Sequence, residues 1–238
     1  MADTAPIVAL LAGASGFVGT RVLDALLNAP EIARVHAVTR RPLGREHSRL
    51  ANRIVQFEHL ERQLAGVKCQ VAFCCLGARV GDSDGAEEAV RRVELGYTLA
   101  FARAAKTAGA ARFVVMSATG ADVAAKSGYL RIKGELEQTL AGLSFAALDI
   151  LQPSMVLGWP REMRAADLLK RVAMPLVNPF LVGERLAQRG IPVATAAAAM
   201  VGTLRSGRRG PQRYTYEGMR ALAELGPRRP AGLAPAVR

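Results

Sequence analysis

Short apolar runs alternate with longer stretches in which apolar residues recur at helical spacing. Apolar spacing predicts helices from Thr20 to about Asn28, over Glu87–Thr107, and beyond an N-cap at Ser127. Strands are predicted at Ile7–Ala12, Val35–Thr39, Arg53–Phe57, Gln70–Leu76, Arg112–Met116 and Phe145–Leu151. Because strands and helices alternate, we predict an α/β fold, a Rossmann-like doubly wound parallel sheet.

The remainder of the chain is predicted to complete a single domain over residues 1–226, with a small C-terminal region that shapes a substrate pocket. That region is residues 158–190, in which Trp159 either walls the pocket or packs in the core. Pro227–Arg238 is proline-rich and basic, which predicts a disordered tail. Further elements are predicted as helices over Arg161–Val172, Val193–Leu204 and Gly218–Leu225, and as a strand over Arg213–Tyr216.

A glycine-rich turn, Gly13-Ala14-Ser15-Gly16-Phe17-Val18-Gly19, joins the first strand to the first helix. Gly13 allows a tight exit from the strand, and Gly16 lets the backbone approach a pyrophosphate. Gly19 lets the helix pack closely on the sheet. The N–H groups and the dipole at the helix start attract phosphate charge. The turn therefore predicts a dinucleotide site; a glycine-rich turn without a ligand is the alternative.

The end of the second strand bears on the type of cofactor. An acidic residue about 20 positions beyond the glycines would hold the ribose 2′-hydroxyl of NAD, but the sequence there is Thr39-Arg40-Arg41. Arginine binds phosphate in a fork geometry, so Arg40 and Arg41 favour the 2′-phosphate of NADP(H). NAD(H) stays possible, since the two arginines are alternatively part of a solvated loop in an arginine-rich chain.

Candidate acid–base chemistry follows the fifth strand. That strand ends in Ser117, and the next predicted helix carries Tyr129 and Lys133, which are four residues apart and share one helix face. The ammonium of Lys133 is expected to lower the pKa of Tyr129 from about 10. Tyr129 could then exchange a proton with a substrate oxygen, and either Ser117 or Thr119 could hydrogen-bond the same oxygen. The alternative is a surface Tyr/Lys pair.

Three features together, namely Gly13–Gly19, Ser117 and Tyr129-x-x-x-Lys133, resemble the short-chain dehydrogenase/reductase superfamily in its atypical or extended branch. Three further strings resemble the HTATIP2/TIP30 (CC3) group of NADPH-binding proteins and its bacterial relatives. They are Phe73-Cys74-Cys75-Leu76-Gly77, Tyr129-Leu130-x-x-Lys133-Gly134-Glu135-x-Glu137 and Ile191-Pro192-Val193.

The resemblance implies a role for each matching residue. Ser117, Tyr129 and Lys133 would form the catalytic set, and Tyr129 and Lys133 would also contact the cofactor at the nicotinamide ribose. The other implied cofactor contacts are Gly13, Ala14, Ser15, Gly16, Phe17 and Val18 at the pyrophosphate, Arg40 and Arg41 at the 2′-phosphate, Cys75, Leu76 and Gly77 at the nucleoside, and Pro153 and Ser154 at the nicotinamide amide.

Two residues depart from the pattern of this superfamily. At the end of the third strand an acid often lies near the adenine, and here the residue is Gln56. An asparagine in the helix after the fourth strand often assists a proton relay, and the matching position here is Glu94. The relay is therefore in question, while cofactor binding is not.

These residues predict an NADP(H)-dependent oxidoreductase that moves a hydride to or from a carbonyl or hydroxyl carbon. The alternatives are an NADPH-binding regulatory or sensor protein with little turnover, and a sugar-nucleotide epimerase or dehydratase. The substrate pocket is expected from Ala78–Gly85 and from residues 158–188, where no motif indicates a substrate class. Both a monomer and a homodimer are compatible with the sequence.

The amino-acid composition bears on which partners the protein binds and where in the cell it lies. The formal net charge of +12 invites a nucleic-acid role, but the arginines are scattered and no nucleic-acid motif accompanies them, so no specific nucleic-acid partner is predicted. No signal peptide or membrane span is predicted, which favours a cytoplasmic protein. Cys69, Cys74 and Cys75 are expected as small core residues, and the histidines lack metal-ligand spacing, so no metal is predicted.

Overall fold

A computed structural model describes residues 6–78, 86–158, 178 and 183–227 of the chain. The strands are β1 Ile7–Ala12, β2 Ile32–Thr39, β3 Leu50–Ile54, β4 Val71–Cys74, β5 Arg112–Met116, β6 Ala147–Leu151, β7 Met155–Leu157, β8 Gly190–Pro192 and β9 Gly210–Tyr214. The α-helices are α1 Phe17–Asn28, α2 Leu60–Gln63, α3 Ala86–Arg91, α4 Thr98–Thr107, α5 Gly128–Gly142, α6 Val193–Gly202 and α7 Tyr216–Leu225.

Seven strands form one sheet in the order β3-β2-β1-β4-β5-β6-β9, and every neighbouring pair is parallel. This is the strand order of a doubly wound Rossmann sheet: successive strands are added on one side of β1 as far as β3, and from β4 onward on the other side. The α/β prediction is confirmed. Ligands of such sheets bind at the carboxyl ends of the strands near this change of side, where Ala12 and Cys74 end their strands side by side.

Two apolar layers cover the two faces of the sheet. One cluster packs α1, α6 and α7 against the sheet and includes Leu26, Ile32, Met200 and Met219. The other packs α2, α4 and α5 against the opposite face, where the ring of Phe113 contacts those of Phe101 and Phe145. Because both faces are covered, the central strands β1 and β4 are almost wholly buried.

The long helix predicted after β4 contains an irregular turn. It begins as α3, widens into a π-helical segment over Arg92–Tyr97, and continues as α4. A π-helical turn inserts an extra residue into the helical repeat and occurs frequently at functional sites. The widened turn carries Glu94, which is 2% exposed.

Several predicted boundaries are wrong. The third strand lies three residues earlier than predicted, because it pairs with β2 in a register that sets Leu50 opposite Val35 and Ile54 opposite Thr39. The last strand is Gly210–Tyr214 instead of Arg213–Tyr216, and it adds to the sheet beside β6. A two-stranded parallel ribbon, β7 with β8, was not predicted, since each strand has only three residues.

Parts of the predicted pocket and tail lie outside the described residues. They are Trp159, the helix predicted over Arg161–Val172, most of the loop Ala78–Gly85, and the tail beyond Pro227.

Candidate cofactor and active site

The glycine-rich turn between β1 and α1 requires glycine at two positions. Gly13 has φ +82°, and a Cβ there would lie 2.4 Å from the carbonyl oxygen of Cys75. A Cβ on Gly19 would lie 2.0 Å from the carbonyl oxygen of Gly13. The backbone of the turn thus lies directly against Cys75, just after β4, and against the first turn of α1. Between these two contacts, Ser15 and Gly16 are exposed at the start of the helix.

The start of α1 is suited to an anion. The N-cap is Gly16, which has no side chain to cap the first N–H groups of the helix, and the first turn of the helix contains no acidic residue. The remaining residues of the predicted phosphate site surround it: Ala14 is buried, and Phe17 and Val18 are half-buried. The N-terminus of a helix carries partial positive charge, and its N–H groups bind phosphate when no side chain caps them. The residues at the start of α1 therefore fit the pyrophosphate of a dinucleotide.

The turn that follows β2 presents Arg40 and Arg41 to solvent. Neither guanidinium pairs with an acidic side chain within the described part of the chain. The turn is held by Asn52, which donates to the carbonyl of Ala37 at 3.1 Å and to the hydroxyl of Thr39 at 2.7 Å. Asn52 also accepts from the N–H of Leu43 at 2.9 Å. Two unpaired arginines on a braced turn fit the 2′-phosphate of NADP.

The segment that follows β4 passes directly over the glycine turn. The N–H of Cys75 donates to the carbonyl of Ala12 at 3.0 Å, and Cys75 and Leu76 are half-buried while Gly77 is exposed. Three of the predicted cofactor contacts, Cys75, Leu76 and Gly77, therefore lie beside the predicted pyrophosphate site. This position is consistent with the nucleoside contact that the family resemblance implies.

Tyr129 and Lys133 lie on one face of α5, as predicted, and a third residue joins them. The Nζ atom of Lys133 is 5.8 Å from the centre of the Tyr129 ring, and it donates to the carbonyl of Met116 at 3.0 Å. Glu94 Oε2 lies 2.7 Å from the same Nζ atom. The second carboxylate oxygen, Oε1, accepts from the N–H of Ala78 at 2.8 Å.

The charges of these three residues are coupled. Burial raises the pKa of Tyr129, the Lys133 ammonium lowers it and Glu94 raises it, so that the pKa stays above its ordinary value. Burial lowers the pKa of Lys133, but Tyr129 and Glu94 together outweigh burial and raise that pKa. The expectation that Lys133 brings the pKa of Tyr129 below 10 is therefore wrong for the protein without ligand. Lys133 acts in the predicted direction, but burial and Glu94 oppose it.

The third predicted catalytic residue, Ser117, is engaged elsewhere. It is buried, and its hydroxyl donates to Oε1 of Glu137 at 2.5 Å. Glu137 also accepts from the Gln152 amide at 2.8 Å and from Nε of Arg213 at 2.7 Å. The donor hydrogen of Ser117 thus points to this buried carboxylate. Orientation of a substrate by Ser117 stays a prediction.

The other candidate hydroxyl, Thr119, braces two loops. It donates to the carbonyl of Gln152 at 2.7 Å, while its N–H donates to the carbonyl of Pro153 at 3.0 Å. The loop after β5 is thereby joined to the loop after β6. Pro153 is buried and Ser154 is exposed, with its hydroxyl donating to the carbonyl of Gln188 at 2.8 Å. Both lie at the carboxyl edge of the sheet, where the resemblance puts the nicotinamide amide.

Sequence reasoning assigned no role to Asn52 or Glu137. Glu137 could have been noticed, because it lies four residues beyond Lys133 and eight beyond Tyr129, and so on the same face of α5. The role of Asn52 could not be predicted, since a single asparagine in a short strand does not indicate that it holds the turn after the neighbouring strand. Glu94 was noticed as a departure, but its contact with Lys133 was not predicted.

The cysteines occupy the positions expected of core residues. Cys69 and Cys74 are buried and Cys75 is half-buried, and all three are free thiols. Burial raises the pKa of Cys69 to about 12 and that of Cys74 to about 11. Among the described residues, no group of His, Cys, Asp and Glu side chains is arranged to hold a metal ion. The helices within those residues are also too short or too polar to cross a membrane.

Comparison with known proteins identifies the family. The profile of a family described as NAD(P)H-binding matches residues 13–156, which is more than half of the chain and includes the glycine turn, Tyr129 and Lys133. The chain belongs to this NAD(P)H-binding family, and its relatives include atypical short-chain dehydrogenase/reductase proteins.

Two curated relatives illustrate the similarity. HTATIP2 of Rattus norvegicus is 31% identical over 199 residues, which cover 81% of this chain and 78% of that protein. The mitochondrial protein fmp52 of Aspergillus fumigatus is 31% identical over 168 residues, which cover 68% of this chain and 71% of that protein. The resemblance to the HTATIP2 group that the sequence motifs indicated is confirmed.

Solved structures share the fold at low sequence identity. A short chain dehydrogenase from Burkholderia cenocepacia in complex with NADP has a TM-score of 0.64 at 17% identity, with 93% of both chains covered. A UDP-N-acetylglucosamine 4-epimerase from Methanobrevibacter ruminantium has a TM-score of 0.65 at 17% identity, with 89% of this chain and 77% of that chain covered. At these identities the likeness is one of fold.

The predicted cytoplasmic location is contradicted by the relatives. The similar proteins from Aspergillus fumigatus, Aspergillus niger and Eremothecium gossypii are all named as mitochondrial. The prediction rested on the lack of a recognisable signal peptide or membrane span, and neither observation distinguishes the cytoplasm from an organelle.

Proposed function

We propose that the protein is an NADP(H)-dependent oxidoreductase that transfers a hydride to or from a carbonyl or hydroxyl carbon. The observation that carries this proposal is the Lys133 ammonium, buried beside Tyr129 at the sheet edge where the glycine turn also lies. A bound nicotinamide would supply or accept the hydride. The protein's own part is to bind the cofactor, orient the substrate and move one proton.

The cofactor-binding roles are proposed residue by residue. The backbone of Gly13–Val18 would hold the pyrophosphate, Arg40 and Arg41 the 2′-phosphate, and Cys75–Gly77 the nucleoside. Tyr129 and Lys133 would contact the nicotinamide ribose, with Pro153 and Ser154 at the nicotinamide amide. The unpaired state of Arg40 and Arg41 among the described residues supports NADP(H) over NAD(H), since both guanidiniums are available to phosphate.

Tyr129 would act as the acid or base. Like any tyrosine, Tyr129 carries its proton at neutral pH, and it would give that proton to a carbonyl oxygen as the hydride arrives. Burial and Glu94 raise its pKa and make it a weaker acid, whereas Lys133 acts in the opposite direction and favours the transfer. Lys133 would then stabilise the phenolate that remains, because the ammonium lies beside the ring. Ser117 or Thr119 is proposed to hydrogen-bond the substrate oxygen.

The test is consumption of NADPH in the presence of a panel of aldehydes and ketones, for the natural protein and for Tyr129→Phe. Removing a general acid costs on the order of 10²–10⁴ in rate, so the variant should lose at least about 100-fold in turnover. Tyr216→Phe, which removes the hydroxyl of a tyrosine to which the proposed mechanism gives no role, is the matched control. Equal turnover by the natural protein and Tyr129→Phe would contradict the proposed acid.

A second candidate is an NADPH-binding regulatory protein with little turnover. It is favoured by one observation: the Ser117 hydroxyl donates its hydrogen to the buried carboxylate of Glu137, so this hydrogen does not point to a substrate oxygen. NADPH binding without NADPH consumption by any member of the panel would support this candidate over the first.

A further inference from the structure

The pair formed by Glu94 and Lys133 lies below the surface of the proposed site. The two side chains are 3% and 4% exposed, and each polar end has a partner. Lys133 contacts Glu94 and the carbonyl of Met116, and Glu94 contacts Lys133 and the N–H of Ala78. Both charged groups therefore have their partners inside the protein. Besides each other, these partners are the backbone at the end of β5 and the backbone after β4.

Stability alone does not account for such a pair. Removing two charges from water is costly, and replacing a buried ion pair by apolar residues is often neutral or stabilising. Glu94 moreover lies on the π-helical turn Arg92–Tyr97, an irregularity found frequently at functional sites. The residue it contacts, Lys133, is the one that adjoins Tyr129. These observations indicate a role in the site.

We propose that Glu94 is a positioning residue of the active site, which holds the Lys133 ammonium through Oε2 and the backbone after β4 through Oε1. This inference rests on the proposed function, since it assigns a role toward Tyr129 and Lys133. Glu94 fixes Lys133 in one place and offsets its charge at the same time. The carboxylate of Glu94 also disfavours the phenolate, so Tyr129 holds its proton more tightly than it would beside Lys133 alone.

Other charged groups near the pair are few among the described residues. Cys74 on β4 also acts on Lys133, but burial raises the pKa of that thiol to about 11, so it is neutral at neutral pH. The Glu87 carboxylate packs against Gly128, the residue before Tyr129, and lies 3.6 Å from Arg131. The charge of Glu87 is therefore balanced by Arg131, which lies outside the pair. The charge of Glu94 is balanced by Lys133 itself.

The test measures ionisation of Tyr129 in the protein without NADPH. The near-ultraviolet absorbance of phenolate is followed against pH for the natural protein and for Tyr129→Phe, and the difference isolates Tyr129 from the other three tyrosines. The same difference is measured in a Glu94→Gln background. Glutamine retains an acceptor for the Ala78 N–H, but it removes the negative charge and the carboxylate oxygen that faces Lys133.

Tyr129 should ionise about one pH unit lower in Glu94→Gln, since a neighbouring charge shifts a pKa by that order. Glu88→Gln, an identical change at an exposed residue of α3, should leave the Tyr129 titration where it is. A titration that does not move in Glu94→Gln, or a Tyr129 that stays protonated in both proteins up to alkaline unfolding, would overturn the proposal. A purely structural role would lower unfolding free energy without moving this titration.

If Glu94→Gln does not fold, Glu94→Asp takes its place. Aspartate keeps the charge but withdraws it from Lys133 by about one bond length, so an intermediate shift is expected and an unchanged titration contradicts the proposal. Because the measurement contains no cofactor, its outcome is independent of NADPH binding. A natural protein that fails to bind NADPH would refute the proposed function and leave the result on Glu94 and Tyr129 intact.

Discussion

The Ser117 hydroxyl donates to Oε1 of Glu137, and this hydrogen bond of 2.5 Å joins the end of β5 to the middle of α5. Glu137 follows Lys133 by one helical turn, so the carboxylate lies directly below the proposed site. It also accepts from Gln152 after β6 and from Arg213 on β9. One buried side chain therefore fixes three neighbouring segments of the sheet edge relative to the helix that carries Tyr129.

Replacing Glu137 by alanine should destabilise the fold. The buried hydroxyl of Ser117 and the half-buried amide of Gln152 would lose their acceptor, and each unsatisfied buried polar group costs about 1–3 kcal/mol. We expect the free energy of unfolding, measured by urea denaturation, to fall by about 2–4 kcal/mol.

Glu135→Ala provides the comparison on the same helix. Glu135 is half-buried and pairs with the exposed Arg91, and an ion pair that is open to solvent contributes at most about 1 kcal/mol. A loss for Glu137→Ala that does not exceed the loss for Glu135→Ala would show that the buried network has no special contribution.

Gly13→Ala should prevent formation of the phosphate-binding turn. The new Cβ would lie 2.4 Å from the carbonyl oxygen of Cys75, and the residue has φ +82°, a conformation that costs a non-glycine residue about 1–2 kcal/mol before the clash is counted. We expect lower stability together with the loss of NADPH binding, measured by thermal unfolding with and without NADPH.

Gly142→Ala is the control for the glycine substitution. A Cβ at Gly142, in the last turn of α5, would meet nothing within 4 Å. Since alanine favours a helix over glycine by up to about 1 kcal/mol, this variant should be as stable as the natural protein or slightly more so. Equal behaviour of the two variants would contradict the close approach between Gly13 and Cys75.

Asn52→Ala should weaken NADPH binding, although Asn52 is not itself a proposed contact of the cofactor. Asn52 makes hydrogen bonds to Ala37, Thr39 and Leu43 that hold the turn with Arg40 and Arg41. A turn that is no longer fixed must be ordered on binding, which costs on the order of 1 kcal/mol, or about 5-fold in affinity. The measurement is a fluorescence titration with NADPH, and an unchanged affinity would show that the brace does not contribute.

Stability should fall at alkaline pH in part through Tyr214. Burial and the Asp149 carboxylate, which accepts from the Tyr214 hydroxyl at 3.0 Å, together raise the pKa of Tyr214 to about 12. The folded protein therefore holds this proton more tightly than the unfolded chain. The resulting stability is present below pH 10 and is lost as the pH rises toward 12.

Tyr214→Phe tests this pH dependence. One titrating group contributes a slope of about 1.4 kcal/mol per pH unit, so the loss of stability between pH 10 and 12 should be shallower by that amount in the variant. Urea denaturation at a series of pH values gives the slopes. Parallel slopes for the two proteins would rule out the contribution of Tyr214.

Local patterns were sufficient to predict most of the fold. The alternation of apolar runs and amphipathic segments identified β1, β4, β5 and β6 and the parallel sheet, because buried parallel strands are apolar along their whole length. The edge strand β3 was misplaced, since none of its five residues is fully buried and its register depends on hydrogen bonds to β2. Strands as short as β7 and β8 carry too few residues for a pattern.

Only those parts of the candidate site that lie within one helix or one turn could be predicted from the sequence. The glycine turn and the helical pair Tyr129 and Lys133 are each local in the sequence. The contacts of Lys133 with Glu94, and of Ser117 with Glu137, join residues on separate elements. No spacing rule connects such residues, so the sign of the Tyr129 pKa shift could not be predicted without the fold.

The most direct test of the proposed function is a fluorescence titration of the natural protein with NADPH and, in parallel, with NADH. We expect NADPH to bind more tightly, and Arg40→Asp to remove that preference, while Arg103→Asp, the same charge change at an exposed position of α4, leaves it intact. Binding of neither cofactor, or equal binding of NADPH by the natural protein and by Arg40→Asp, would contradict the account of the site given above.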